Sequence, residues 1–396
     1  MKKIGIVSCY FQRNYGSMLQ ALATQMALDK LNIENETIDI SGFNGEIKKA
    51  KLKYFTKASL TSTILFTKMG MAKNVVKKEF SKNEYGTLSK VRNDKFDKFA
   101  KEKFDLSQKY NSINELSEKC KTNYSDVLVG SDQLWLPANI AANYYTLNFV
   151  PNEVNSIAYA TSFGQSTLPK DSTKKAEMFL NKIKHIGVRE KSGQKLVKDI
   201  VNRDVPVVCD PTLLFNGEDW MSIQTQEPIE KGAYIFCYFL GNNQPHRDFA
   251  KRLKAETGCK IVALVHLDEF VKCDEEYADE KPYNVDPADF LNYIRNAKYI
   301  CTDSFHCSVF SSLYKKDYFT FRRYTKNTKQ STNSRIDNLF EQLGIKGRLL
   351  NGDEDVKECI KIKTDYDMVD KNLEKIREFS YEYLRKALNI NDKNRG

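Results

Sequence analysis

Nine cysteines are scattered along the 396 residues, yet no Cys-x-x-Cys pair and no His/Cys spacing suited to zinc occurs. Neither a zinc module nor a dithiol redox centre is therefore expected. Several cysteines sit in apolar runs, such as Cys209 in "VPVVCD" and Cys237 in "YIFCYF", and read as buried free thiols of a reducing compartment. Glycine (18) and proline (9) are too sparse for a fibrous or low-complexity chain. "LTSTILFT" is far too short to cross a bilayer, and the opening "MKKIGIVSCYFQRN" reaches Gln12 and Arg13 too early for a signal peptide. A soluble cytoplasmic protein is expected. Neither G-x-G-x-x-G nor G-x-x-x-x-G-K-[ST] is present, so nucleotide phosphates lack their usual cradle. Histidine is scarce: His185, His246, His266 and His306.

The length suits two domains, and 41% hydrophobic and 12% aromatic residues suffice for substantial cores. The net charge of +10 is local in origin, since Lys48 to Lys121 is dense in lysine, as in "IKKAKLKYFTK" and "NVVKKEFSK". Tyr54, Phe55, Phe66 and Phe80 interleave with these lysines. One reading is peripheral contact with the anionic inner face of a membrane or with a lipid-linked phosphate. The blander reading is a solvated, largely helical insertion, the usual fate of a charge run. No RNA-binding motif accompanies the lysines, so nucleic acid is not an expected partner.

"KKIGIVSCYF" reads as a buried strand, "MLQALATQMALDKLN" as a helix and "ENETIDIS" as the next strand, the usual opening of a parallel α/β sheet. Similar units continue through "DVPVVCDPTLLF", which reads as a strand stopping at Pro211. This gives a first α/β domain over 1–215 with the basic insertion at about 46–123. A polar linker spans 216–232. The pattern restarts at "AYIFCYFL" and gives a second α/β domain over 233–365, followed by a helix over 366–396 placed to cross back onto the first domain.

Polar packets fall where strands end: Asn14-Tyr15-Gly16, Gly130-Ser131-Asp132, Ser162-Phe163-Gly164, Arg189-Glu190 and Thr302 to His306. Parallel sheets bind ligands at such edges. One of Thr302, Asp303 and Ser304 caps the following helix, whose free amides attract anions. His306 sits in the first turn of that helix, and an imidazole can give and take a proton in one cycle. Arg189 either clamps a substrate carboxylate or phosphate or pairs with Glu190. Arg322, Arg323 and Arg335 are further cations near the second sheet. Asp132 and Trp135 suit a sugar, by hydrogen bonding and stacking, although tryptophan is more often core. Asn14, Tyr15, Gly16 and Gln20 line an acceptor pocket or only shape the first turn.

Taken in order, "NYGSMLQ", "DVLVGSDQLW", "IAYATSFG", "VREKSG", "VCDPTLLF" and "TDSFHCSVF" resemble the polysaccharide pyruvyl transferase family over roughly Lys2 to Leu350. The resemblance implies two Rossmann-like domains in a glycosyltransferase-B-like arrangement. It implies transfer of pyruvate from phosphoenolpyruvate onto two hydroxyls of a saccharide or lipid-linked oligosaccharide acceptor, with no cofactor. By the same resemblance His306 is the proton shuttle. Arg189 matches a family arginine that binds phosphoenolpyruvate, the donor being expected mainly on the second domain. From their own chemistry Ser304, Phe305 and Arg335 are expected to join it there, and Asn14, Tyr15, Gln20, Asp132 and Trp135 to serve the acceptor on the first. Two departures stand out. Ser304 occupies a position where some members carry arginine, so another cation, Arg335 or Arg323, must complete the phosphate clamp. Cys307 follows the histidine where many members have glycine. The competing readings are a nucleotide-sugar glycosyltransferase on the same scaffold and a non-catalytic glycan-binding relative.

Overall fold

The computed structural model describes residues 3–58, 84–323 and 334–390. The stretch "LTSTILFT", Phe66 and Phe80 of the basic insertion lie outside the described residues, as does the end of the chain beyond residue 390.

Two five-stranded sheets, each wholly parallel, organise the chain. The first is built from β1 (Lys3–Val7), β2 (Asn35–Thr37), β3 (Tyr124–Val129), β4 (Asn155–Thr161) and β5 (His185–Val188) in the order β2-β1-β3-β4-β5. The second is built from β6 (Tyr234–Tyr238), β7 (Lys260–Leu264), β8 (Tyr299–Thr302), β9 (Asp317–Phe321) and β10 (Leu349–Leu350) in the order β10-β9-β8-β6-β7. Read along its own strands, each sheet has the order second-first-third-fourth-fifth. The direction of winding therefore reverses between β1 and β3 in one sheet and between β6 and β8 in the other, the positions where doubly wound sheets open a crevice. Strands such as "YIFCY" are buried at every residue because helices cover both faces.

The helices that shape the site are α1 (Tyr15–Lys30), α2 (Asn44–Ala58), α3 (Glu84–Lys103), α4 (Pro287–Asn296), α5 (Phe305–Leu313), α6 (Ser334–Leu343) and α7 (Tyr366–Ala387). One hydrophobic core runs through both domains. At their junction Tyr15 of α1 stacks on Phe290 of α4, with ring centres 4.7 Å apart, and meets Tyr238 edge-on. Aromatic contacts of this kind add about 0.5–1.5 kcal/mol each beyond burial.

α7 crosses back onto the first domain, where the Tyr383 hydroxyl donates to Ala158 O in β4 and the Arg377 guanidinium donates to Leu213 O and Phe215 O. Three local expectations differ from the structure. Residues 204–210 form no full strand and join β5 only through a Val188–Val207 bridge. The segment read as a polar linker holds a short helix, Gly217–Met221, whose Trp220 is fully buried and donates to Thr212 O. α3, within the basic insertion, is no solvated appendage either. It buries Phe96 and Phe99 and reaches the second domain through Arg92–Asp268 (2.7 Å) and Lys95–Asp289 (3.5 Å).

Candidate active site

The winding reversals of the two sheets face each other across a cleft of about 420 Å³, lined from the first domain by Asn14, Ser17, Lys51 and Asp132 and from the second by Ser304, Phe305, His306, Arg323 and Arg335. Each wall is set by a helix start. Asn14 caps α1, its Oδ1 accepting from Ser17 N (3.1 Å), and Ser304 caps α5, its Oγ accepting from Cys307 N (3.4 Å). At both starts the first amides have no intrahelical partner. Thr302 and Asp303 hold the crevice of the second sheet in shape. Thr302 Oγ1 donates to Tyr238 O, and the Asp303 carboxylate accepts from Leu240 N, Gly241 N and Arg323. The crowding of "TDSFH" thus separates into two jobs: Asp303 ties β8 to the loop after β6, and His306 is left for the cleft.

His306 is 6% exposed. Its ring lies against the backbone of α1: a Cβ built on Gly16 would fall 2.2 Å from Nδ1, so only glycine admits the imidazole there. On its other side Nε2 stands 3.4 Å from Asp210 Oδ2 and makes no aligned hydrogen bond. Asp210 is fully buried and also accepts from Arg189 (2.8 Å), Ser131 Oγ (2.9 Å) and Thr212 Oγ1 (2.7 Å). Burial opposes its ionisation, yet His306 and Arg189 outweigh burial and hold the carboxyl far below its ordinary range. Asp132 behaves alike. Burial alone would raise it, but the charges of Arg189 and His306 and the Ser17 hydroxyl (2.6 Å) keep it low. Asp132 adopts φ of 77°, a left-handed conformation that costs a non-glycine residue energy and recurs at functional sites.

The cations divide into paired and unpaired. Arg189 is buried among Asp210, Glu190 and Asp132; burial disfavours its charge, and these carboxylates overcome it. It opens not onto the main cleft but onto a crevice of about 10 Å³ beside it, and its Nη2 has no hydrogen-bond partner among the described residues. The Phe305 ring separates the two spaces, with the guanidinium carbons of Arg189 and Arg335 at 4.8 and 5.9 Å from its centre. Arg335 has no acceptor for its Nε among the described residues. Burial, with repulsion from Arg189, lowers its pKa to about 10. Lys51 reaches the cleft from α2 with no carboxylate in salt-bridge range among the described residues, and burial lowers its pKa.

The structure thus brings Asn14, Asp132, Ser304, Phe305, His306 and Arg335 onto one cleft, with Arg189 directly behind. It does not bring Trp135, Gln20 or Tyr15 there. Trp135 is fully buried, its Nε1 donating to Tyr145 O. Gln20 is sealed against Ser17 O and Cys9. Tyr15 stands in the domain junction, its hydroxyl donating to Val285 O. Asp210, Ser17 and Lys51 were not singled out from sequence, and Gly16 was read as part of a polar packet at a strand end without its contact to His306. Asp210 carried the clearest signal, an acid ending an apolar run just before Pro211. Among the described residues no group of three or more His, Cys, Asp or Glu is arranged to hold a metal ion, and no helix is long and apolar enough to cross a membrane.

Fold and cleft together define a two-domain, parallel-sheet α/β protein whose site lies at the carboxyl edges of both sheets. The family model for polysaccharide pyruvyl transferase matches residues 14–317 of the 396, and the chain belongs to that family, which makes it a transferase. No curated protein matches the chain. Among solved structures it is similar to a UDP-N-acetylglucosamine 2-epimerase from Rickettsia bellii (11% identity, 99% of this chain and 100% of that one, TM-score 0.45). It is similar also to UDP-GlcNAc 2-epimerase from Neisseria meningitidis (12%, 98% and 100%, TM-score 0.48) and to the glycosyltransferase SnogD from Streptomyces nogalater (10%, 98% and 99%, TM-score 0.42).

Proposed function

We propose that the cleft transfers pyruvate from phosphoenolpyruvate onto two hydroxyls of a sugar, forming a cyclic ketal and releasing phosphate. The observation that carries this reading is the His306 imidazole, set against Gly16 in a cleft whose cations Lys51 and Arg335 have no carboxylate in salt-bridge range among the described residues. An enol phosphate is a dianionic or trianionic donor that such unpaired cations and two helix starts would hold.

In this reading His306 gives a proton to the methylene carbon, and the central carbon becomes an oxocarbenium-like electrophile. One sugar hydroxyl adds and returns its proton to the imidazole. The bond to phosphate breaks, the second hydroxyl closes the ring, and its proton leaves with phosphate. The Asp210 carboxylate, 3.4 Å from Nε2, stabilises the protonated imidazole by its charge. Arg335 and the amides at Ser304–Phe305 take the departing phosphate, with Arg189 reinforcing the field through Phe305. Asp132, low in pKa and bonded to Ser17, accepts a hydrogen bond from the acceptor hydroxyl rather than a proton. The acceptor enters from the first domain and the donor rests on the second, in keeping with a cytoplasmic step of polysaccharide assembly.

Phosphate release from phosphoenolpyruvate, measured over a panel of saccharide acceptors, tests the proposal. Thermal shift with phosphoenolpyruvate but not with uridine or guanosine diphosphate is the expected companion result. Stabilisation by a nucleotide diphosphate, with no release of phosphate, would instead favour a nucleotide-sugar glycosyltransferase.

A further inference from the structure

A second cavity, of about 470 Å³, opens at the carboxyl ends of β6 and β7, and Asn14 and Leu240 line both it and the active cleft. We propose that this cavity is a saccharide subsite that holds the sugar unit next to the one being modified, so that the acceptor is at least a disaccharide. The proposal rests on the pyruvyl-transfer reading for what happens at the neighbouring cleft.

The chemistry of the lining selects the ligand. Both arginines on it are already neutralised: Arg92 by Asp268 (2.7 Å) and Arg13 by Asp97 (2.8 Å). Glu269 adds a carboxylate with no cation in salt-bridge range among the described residues. Such a wall disfavours phosphate and carboxylate ligands and offers acceptors to hydroxyl groups. Arg92, which lines the cavity, keeps a buried Nε with no acceptor among the described residues. Tyr283 stands at the rim, 39% exposed, an aromatic face of the kind that packs against the apolar side of a sugar ring.

The wall is preformed. His266 is fixed by two contacts to Asp274 Oδ2, from its backbone N (3.0 Å) and its Nδ1 (2.6 Å), and Asp274 is locked in turn by Arg247. The first domain closes the other side through Tyr15 and Arg92. A neutral, hydroxyl-rich ligand with one flat face, continuous with a second unit in the cleft, fits these conditions.

The test is binding of the full chain to an array of defined bacterial mono-, di- and trisaccharides, with Tyr283→Ala and Tyr283→Phe beside the wild type and phosphoenolpyruvate affinity followed by calorimetry. The wild type should retain a di- or trisaccharide about tenfold more tightly than its component monosaccharides. Tyr283→Ala should lose that preference, Tyr283→Phe should keep it, and phosphoenolpyruvate should bind all three alike. Equal glycan binding by wild type and Tyr283→Ala, or retention of no di- or trisaccharide at all, overturns the subsite. Phosphate release that is as fast with a monosaccharide as with its oligosaccharide overturns it too while leaving pyruvyl transfer standing. A Tyr283-dependent preference in a protein that neither binds nor cleaves phosphoenolpyruvate supports the subsite and removes the pyruvyl reading instead.

Discussion

The two interlobe cavities differ little in size, about 420 and about 470 Å³, and share a wall, yet their charges are matched in opposite ways. In the active cleft Lys51 and Arg335 have no carboxylate in salt-bridge range among the described residues, and His306 stands beside a carboxylate without an aligned hydrogen bond. In the second cavity both arginines are paired, and the charge left without a partner among the described residues is acidic. Apolar burial holds both places together, but only the first keeps uncompensated positive charge, which costs stability without an anion to offset it. The difference teaches where binding energy for a charged substrate is held in reserve.

Breaking the cleft at its centre should give the largest effect. His306→Ala is expected to lower phosphate release from phosphoenolpyruvate by about 10²–10⁴-fold in kcat, with phosphoenolpyruvate binding by calorimetry largely kept. Gly16→Ala should come next. The added methyl cannot coexist with the imidazole 2.2 Å away, so the ring must move, and a shift of that size costs on the order of 10²-fold in kcat/KM.

A histidine one layer beneath the second cavity sharpens the comparison. His246 packs on Phe321 and beside Phe239, and burial lowers its pKa to about 4, with Arg247 adding to the shift and Asp303 partly opposing it. Above pH 6.5 both folded and unfolded chains hold it neutral. As pH falls from 6.5 to 4 the unfolded chain takes a proton that the folded one refuses, so stability falls through that window by about 3 kcal/mol. The loss of stability between pH 7 and pH 4, read by urea denaturation, should be larger in wild type than in His246→Phe by that amount.

Arg335→Met should give the smallest change and one of two signs. Removing an unpaired cation near Arg189 should raise the stability of the ligand-free protein by ~1 kcal/mol in urea denaturation, while the KM for phosphoenolpyruvate rises about tenfold. A loss of stability together with an unchanged KM would mean that Arg335 is structural and that the charge contrast between the cavities has no bearing on the donor.

Much of the architecture was legible beforehand. Strand–loop–helix units repeated twice, and "KIGIV" and "YIFCY" read as strands because continuous apolar runs flanked by polar loops have few other fates. The segment 204–210 misled because an apolar run records burial, and burial does not guarantee strand partners. Trp220 was hidden within a polar stretch for the converse reason: one large side chain can anchor a short helix whose other residues face water. Among site residues, His306 stood out by its rarity and polar neighbours. Trp135 and Gln20 did not differ in sequence from residues that line a pocket, and the facing of a side chain at a strand end depends on what packs against it.

By itself the sequence determined the two parallel sheets, the placing of polar packets at strand ends and the helix start at Ser304, since each follows from local periodicity and capping chemistry. Only the tertiary structure decided that His306 would meet Gly16 and Asp210, that Arg189 would be enclosed by carboxylates while Arg335 was not, and that a second, charge-balanced cavity would adjoin the first. Those pairings join residues far apart in the chain. They exist because the two sheets turn their winding reversals toward each other, a relation between domains that no local stretch encodes.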